Sequence, residues 1–130
     1  MRSVLVVEDH FDTRNVLVEV LSSWGHEVRS AGTAGEGIDA FNRSAFDVIV
    51  CDIGLPDETG WEMMKKIRAA NKTIRAIALT SYMSDLDREL SRAAGFNFHL
   101  AKPPDTTRLQ AAISGGDYKY FRVESQLVGK

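Results

Sequence analysis

Val48-Ile49-Val50-Cys51-Asp52, residues 48–52, is a short apolar run rich in β-branched side chains that stops on a carboxylate. Such a run, bounded by polar residues, reads as a strand. Working outward, residues 47–51 have four counterparts, at 3–7, 28–31, 74–79 and 96–101. The intervening segments carry helical spacing. Val16, Leu17, Val20, Leu21 and Trp24 gather on one side of a helix that Asp12 opens and Gly25 closes. Ala34, Ile38 and Phe41 share a face of a second helix. In a third, Trp61, Met64 and Ile67 point inward while Glu62, Lys65, Lys66 and Arg68 face water. A fourth runs from a Ser84 cap through Leu86 and Leu90 to Ala93 and Ala94, with Gly95 as its left-handed stop. The fifth follows Pro103-Pro104, capped by Asp105, with Leu109, Ala112 and Ile113 as its apolar stripe.

Strict alternation of strand and helix implies βαβ units with right-handed crossovers, hence a parallel sheet covered by helices on both faces. The expected fold class is α/β, a (βα)5 doubly wound sandwich occupying residues 1–114. Gly115-Gly116 ends the fifth helix and leaves a tail, 115–130. Tyr118, Tyr120, Phe121 and Val123 show no clear period there, so no element is assigned, and packing back on the domain is expected.

A chain of 130 residues has room for one core and for no second domain. The formal net charge of −2 provides no basic field for nucleic acid or anionic lipid. No apolar run approaches a membrane span, and the apolar start breaks at Glu8, too early for a secretory signal, so a cytoplasmic location is expected. The single cysteine, Cys51, reads as a buried strand residue rather than a nucleophile.

In an open parallel sheet, ligands bind beyond the carboxyl ends of the strands. Those ends carry Glu8 and Asp9, then Asp52, then Thr80 and Ser81, then Lys102. Any one of them is ordinarily a turn former or a cap. Together they matter, because carboxylates about 4 Å apart repel by about 4 kcal/mol at an effective dielectric near 20. A bound cation, an ion pair to Lys102 or a raised pKa must offset this, and hard oxygen ligands on short arms suit Mg²⁺. His10 beside the acids has no partner at ligand spacing and reads as a loop residue, which disfavours zinc. Lys102 has the reach to pair with Asp52 and then with a phosphoryl oxygen, and Thr80 to donate to another.

Five motifs in order, Val6-Val7-Glu8-Asp9, the segment 50–57, Thr59-Gly60-Trp61-Glu62, Leu79-Thr80-Ser81 and Ala101-Lys102-Pro103, resemble those of response-regulator receiver domains of two-component signalling, of the chemotaxis-regulator type. The resemblance covers residues 1 to about 114 and implies a flavodoxin-like five-stranded sheet of strand order 2-1-3-4-5. It further implies that Asp52 is the phosphoacceptor, that Asp9, Asp52 and the Gly54 carbonyl bind Mg²⁺ directly, and that Glu8 acts through water. Thr80 becomes the switch hydroxyl and Lys102 its ion-pairing partner, with a cis peptide before Pro103. The donor implied is a phosphohistidine of a histidine kinase or histidine phosphotransfer protein. The output face implied is the fourth helix, fifth strand and fifth helix, roughly residues 84–114, acting by protein contact.

Two positions depart from the family pattern. His99 stands where a rotameric aromatic switch residue is usual, and Glu8 where Asp is commoner. The implied activity is self-phosphorylation and self-dephosphorylation, not turnover of an external substrate. A flavin carrier of the same topology needs a Gly-rich phosphate loop, and the acidic stretch 8–12 opposes that. A hydrolytic phosphatase needs an acid where Gly54 stands. A pseudo-receiver that binds partners without phosphorylation is excluded only by chemistry.

Overall fold

β1 (Ser3–Val7) lies inside the sheet, pairing in parallel with β2 (Glu27–Ala31) on one side and β3 (Val48–Cys51) on the other. β4 (Arg75–Thr80) and β5 (Phe98–Ala101) extend the sheet beyond β3, and a two-residue β6 (Arg122–Val123) adds to the β5 edge. The resulting order is β2-β1-β3-β4-β5-β6, all parallel, and its first five strands match the expected topology. This computed structural model describes residues 1–115 and 121–123.

Five helices alternate with the strands: α1 (Phe11–Ser23), α2 (Ala34–Arg43), α3 (Gly60–Ala70), α4 (Asp85–Ala94) and α5 (Thr106–Ser114). Side chains alternate across a strand, so β1 sends Val4 and Val6 to one face and Leu5 and Val7 to the other. The first pair packs with Leu17 and Leu21 of α1 and with Leu109 and Ile113 of α5. The second packs with Met63, Met64 and Ile67 of α3 and Ala94 of α4. Each such fully buried side chain is worth about 1.5–3 kcal/mol relative to exposure. Both faces of β3 and β4 are covered, which is why Val48–Cys51 and Ala76–Leu79 read as continuous apolar runs rather than as alternations.

Caps and stops follow the local chemistry. Thr33, Thr59, Ser84 and Asp105 each accept the amide three residues on, and Ser84 with Asp87 closes a full capping box. Gly95 ends α4 at φ +104°, where any Cβ is strained.

Several expectations need correction. α1 opens at Phe11 with His10 in the cap position, and Asp12 lies inside the first turn, where its charge favours the helix dipole. Periodicity names a face but not its cover: Val16 is 57% exposed and Leu86 67% exposed although both sit on the apolar stripes. In α3, Met63 takes the deep position beside Met64 while Trp61 is half-buried. Arg68 does not simply face water, because its guanidinium donates to the Gly95 and Ile74 carbonyls and to Asn97 Oδ1. β5 starts at Phe98, two residues later than the apolar run, since Asn97 spends its side chain accepting the Ala76 amide.

Residues 121–123 of the tail are ordered against the domain, although the sequence assigns no element there. Arg122 N–H donates to Asn97 O at 2.8 Å, and Phe121 packs against the core cluster of α3 and α4. Tyr118 and Tyr120 lie outside the described residues.

Candidate functional site

Strand order reverses between β1 and β3, since the chain leaves β1 toward β2 and returns to β3 on the other side. The crevice opens beyond the carboxyl ends of these two strands. Glu8 and Asp9 follow β1 there, and Asp52 follows β3. Asp52 N–H donates to Val7 O and Glu8 N–H to Ala31 O, so the sheet's own hydrogen bonds fix where both side chains begin.

Lys102, immediately after β5, reaches across this crevice. Its Nζ lies 3.0 Å from Asp52 Oδ2 and 2.5 Å from Glu8 Oε1. The pairing with Asp52 was expected, whereas the sharing with Glu8 was not. Burial works against the Lys102 charge, yet its hydrogen bonds to Glu8 and Asp52 outweigh that and raise its pKa. Asp52 is 8% exposed, and its Oδ1 accepts the Ile53 amide at 2.7 Å and the Gly54 amide at 3.4 Å. The expected cis peptide between Lys102 and Pro103 is present.

Glu8, Asp9, His10 and Asp52 each offer a ligand atom, all within 4.8 Å of one another. At that spacing two carboxylates repel by about 3.5 kcal/mol at an effective dielectric near 20. Lys102 answers Glu8 and Asp52. Asp9 Oδ1 is buried and accepts no hydrogen bond among the described residues; His10 Nδ1 stands 3.3 Å away without aligning to it. An orphaned carboxylate oxygen inside a cluster of hard oxygen donors fits a small divalent cation such as Mg²⁺. His10, read from sequence as a loop residue, holds its ring 3.2 Å from Glu8 Oε2 while its side chain stays 72% exposed. The sequence sets His10 beside the acids, and the fold turns its ring toward Glu8.

Thr80 is buried at the end of β4, and its Oγ1 accepts the Tyr82 amide at 3.1 Å. His99 lies within β5, fully buried, and reaches neither Asp52 nor the acids by any direct bond among the described residues. Gly54 sits in the loop after β3, under the Tyr82 ring, where an added Cβ meets the Tyr82 hydroxyl at 2.9 Å. Gly60 is required for a harder reason: a Cβ there falls 2.4 Å from Asp52 O, so only glycine lets α3 start this close to the acceptor strand. The same loop is stapled to α2, because Asp57 accepts the Ala34 and Gly35 amides, which hold its carboxyl below the ordinary range.

Cys51 donates its thiol to Asp52 O and is fully buried. Burial, with the nearby Asp52 and Glu8 charges, pushes its pKa well up, so the thiol stays protonated and unreactive.

The profile of the family described as "Response regulator receiver domain" matches residues 4–114. This chain belongs to that family. The receiver is 36% identical over 108 residues to an uncharacterised 14.6 kDa protein of Leptolyngbya boryana, covering 82% of each chain. Relatives differ in length: the receiver spans about a quarter of the transcriptional regulatory protein ZraR of Klebsiella oxytoca and Escherichia coli, but 95% of the sporulation initiation phosphotransferase F of Bacillus subtilis, to which it is 28% identical. Among solved structures it superposes on a CheY-like response regulator receiver domain protein from Methanospirillum hungatei with a TM-score of 0.83 and 29% identity, covering 87% of this chain and 90% of that one. It also superposes on a Saccharomyces cerevisiae co-crystal structure of the phosphotransfer protein Ypd1 with the receiver domain of Ssk1, at a TM-score of 0.80 and 25% identity, covering 86% of each chain. The receiver is thus a phosphoacceptor domain of two-component signalling, with the flavodoxin-like sheet order described above. Among the described residues no helix is long and apolar enough to cross a membrane.

Proposed function

We propose that Asp52 is the residue that takes the phosphoryl group. The observation carrying this is the Asp52 carboxylate, bonded to Lys102 Nζ at 3.0 Å and set among Glu8 and Asp9 at the reversal of strand order. An Asp52 carboxylate oxygen attacks phosphorus as the P–N bond of a phosphohistidine breaks, and that bond's electron pair stays with the departing imidazole. Lys102, already charged and within reach, follows a phosphoryl oxygen. Thr80 exchanges its bond with the Tyr82 amide for one donated to another phosphoryl oxygen.

Asp9, Asp52 and the Gly54 carbonyl would hold Mg²⁺ directly, with Glu8 reaching it through water. When bound, the ion supplies positive charge against the phosphoryl oxygens. The domain, residues 1–114, catalyses only its own phosphorylation and dephosphorylation. Its donor is a histidine kinase or a phosphotransfer protein of the kind seen with the Ssk1 receiver. The output passes to a protein through the face of α4, β5 and α5, in the cytoplasm; of the tail 115–130, Arg122 and Val123 flank that face where β6 joins β5.

The test is incubation with a small acyl phosphate, with and without Mg²⁺, followed by intact mass. A single Mg²⁺-dependent phosphoryl adduct is expected, absent from Asp52→Asn. An adduct that persists in Asp52→Asn, or none in the native chain, overturns the assignment.

A further inference from the structure

Polar groups from four elements and one loop form a single hydrogen-bonded line behind the site. Trp61 Nε1 of α3 donates to Ser91 Oγ of α4 at 2.9 Å. Ser91 Oγ meets His99 Nδ1 of β5 at 2.8 Å, and His99 Nε2 meets the Tyr82 carbonyl at 2.7 Å. The Tyr82 amide in turn donates to Thr80 Oγ1 at the end of β4.

The proton on each end link follows from what the end groups can do. A carbonyl only accepts, so His99 Nε2 carries a hydrogen; an indole N–H only donates, so Ser91 Oγ receives it. With the ring neutral, His99 Nδ1 is an acceptor and the Ser91 hydroxyl hydrogen points to it. Burial lowers the His99 pKa and agrees with that state. Ser91 and His99 are both at 0% exposure, and in this arrangement every ring nitrogen and the hydroxyl is satisfied.

Two consequences follow. His99 is held at both nitrogens, so it does not behave as a side chain free to swing outward. The Tyr82 backbone is held on both sides, its carbonyl by His99 and its amide by Thr80. Any turn of the Thr80 hydroxyl toward Asp52 must reorganise Tyr82, whose ring also touches Trp61, with centroids 6.4 Å apart.

We propose that His99 and Ser91 are positioning residues that clamp the Tyr82 carbonyl, restrain Thr80 in its resting bond, and transmit its release to Trp61. This rests on the reading of Asp52 as acceptor and Thr80 as the responding hydroxyl.

The test uses the full-length chain, ¹⁵N-labelled, with acetyl phosphate and Mg²⁺, following the two tryptophan indole N–H signals by NMR and the adduct by mass. The chain's tryptophans are Trp24 and Trp61, and Trp61→Phe assigns them. The Trp61 signal should move on phosphorylation of the native chain. In Ser91→Ala and His99→Phe the adduct should still form, but the Trp61 signal should no longer follow it. Phosphorylation of His99→Phe should be faster by roughly two- to tenfold, the range one hydrogen bond of ordinary net strength allows. His99→Gln, which keeps a donor for the Tyr82 carbonyl, should restore the native rate. A fully phosphorylated native chain with an unmoved Trp61 signal overturns the proposal alone, as does a signal that still follows phosphorylation in Ser91→Ala, the milder variant. Absence of any adduct in the native chain overturns the assignment of Asp52 and this proposal with it.

Discussion

At the amino-terminal ends of the strands, polar groups are spent on backbone. Arg68 donates to the carbonyls of Ile74 and Gly95, Asn97 Oδ1 accepts the Ala76 amide, Asp47 accepts the Ser3 amide, and His26 accepts the Arg2 amide. At the carboxyl-terminal ends the same kinds of group face one another instead. Glu8 and Asp52 share Lys102, and Asp9 keeps a buried oxygen without a hydrogen bond among the described residues. One end closes loops and fixes the register; the other stores charge that a cation and a phosphoryl group can use. A fold tolerates the second arrangement only because the first, with the apolar core, stabilises the whole.

The sharpest way to break this contrast is Lys102→Met. With the shared ammonium gone, Glu8 and Asp52 are left buried and unanswered, and chemical denaturation should register a loss of about 3 kcal/mol. Its rate of phosphorylation by acetyl phosphate should fall by about a hundredfold or more. Titrating Mg²⁺ into the native chain should raise the unfolding temperature, corresponding to about 2.7 kcal/mol when the metal is at roughly a hundred times its Kd. A flat melting curve up to millimolar Mg²⁺ contradicts the metal reading.

Arg68→Ala probes the opposite end. It should cost about 2 kcal/mol in denaturation, since carbonyls lose a charged donor, while the rate of phosphorylation stays native. An equal loss of rate would mean that the two ends are not separable. Asp9→Asn should do the reverse, gaining about 1 kcal/mol without metal while abolishing the Mg²⁺-dependent rise. Finally, burial and the Arg88 charge hold His99 below its ordinary 6.5, against its bond to the Tyr82 carbonyl and the Asp87 charge. The unfolded chain therefore takes up a proton first, and stability should fall as pH drops below about 6.5 toward the folded value. His99→Gln should flatten that part of the pH–stability profile, and an unchanged slope would place the titration elsewhere.

Much of this was readable in one dimension. β1 occupies residues 3–7 as its apolar run dictates, Gly95 stops α4, and Asp105 caps α5. The acidic, hydroxyl and lysine positions were visible because the carboxyl end of each strand is marked by the change from apolar to polar. What escaped had no local signal. β6 has two residues and no period, and it is ordered by the edge that β5 offers. Val16 and Leu86 carry the right spacing, but among the described residues nothing packs over them to bury them. Gly60 looks like any helix-start glycine until the Asp52 carbonyl is found where its Cβ would be.

Local chemistry, then, specified which segments become strands and helices and which reactive side chains stand at their ends, since both depend on spacing over a few residues. The sharing of Lys102 between Glu8 and Asp52 and the line from Trp61 to Thr80 came from the folded state alone. Lys102 and Asp52 are 50 positions apart along the chain, and contacts across such separations depend on strand order and register, which no short stretch encodes.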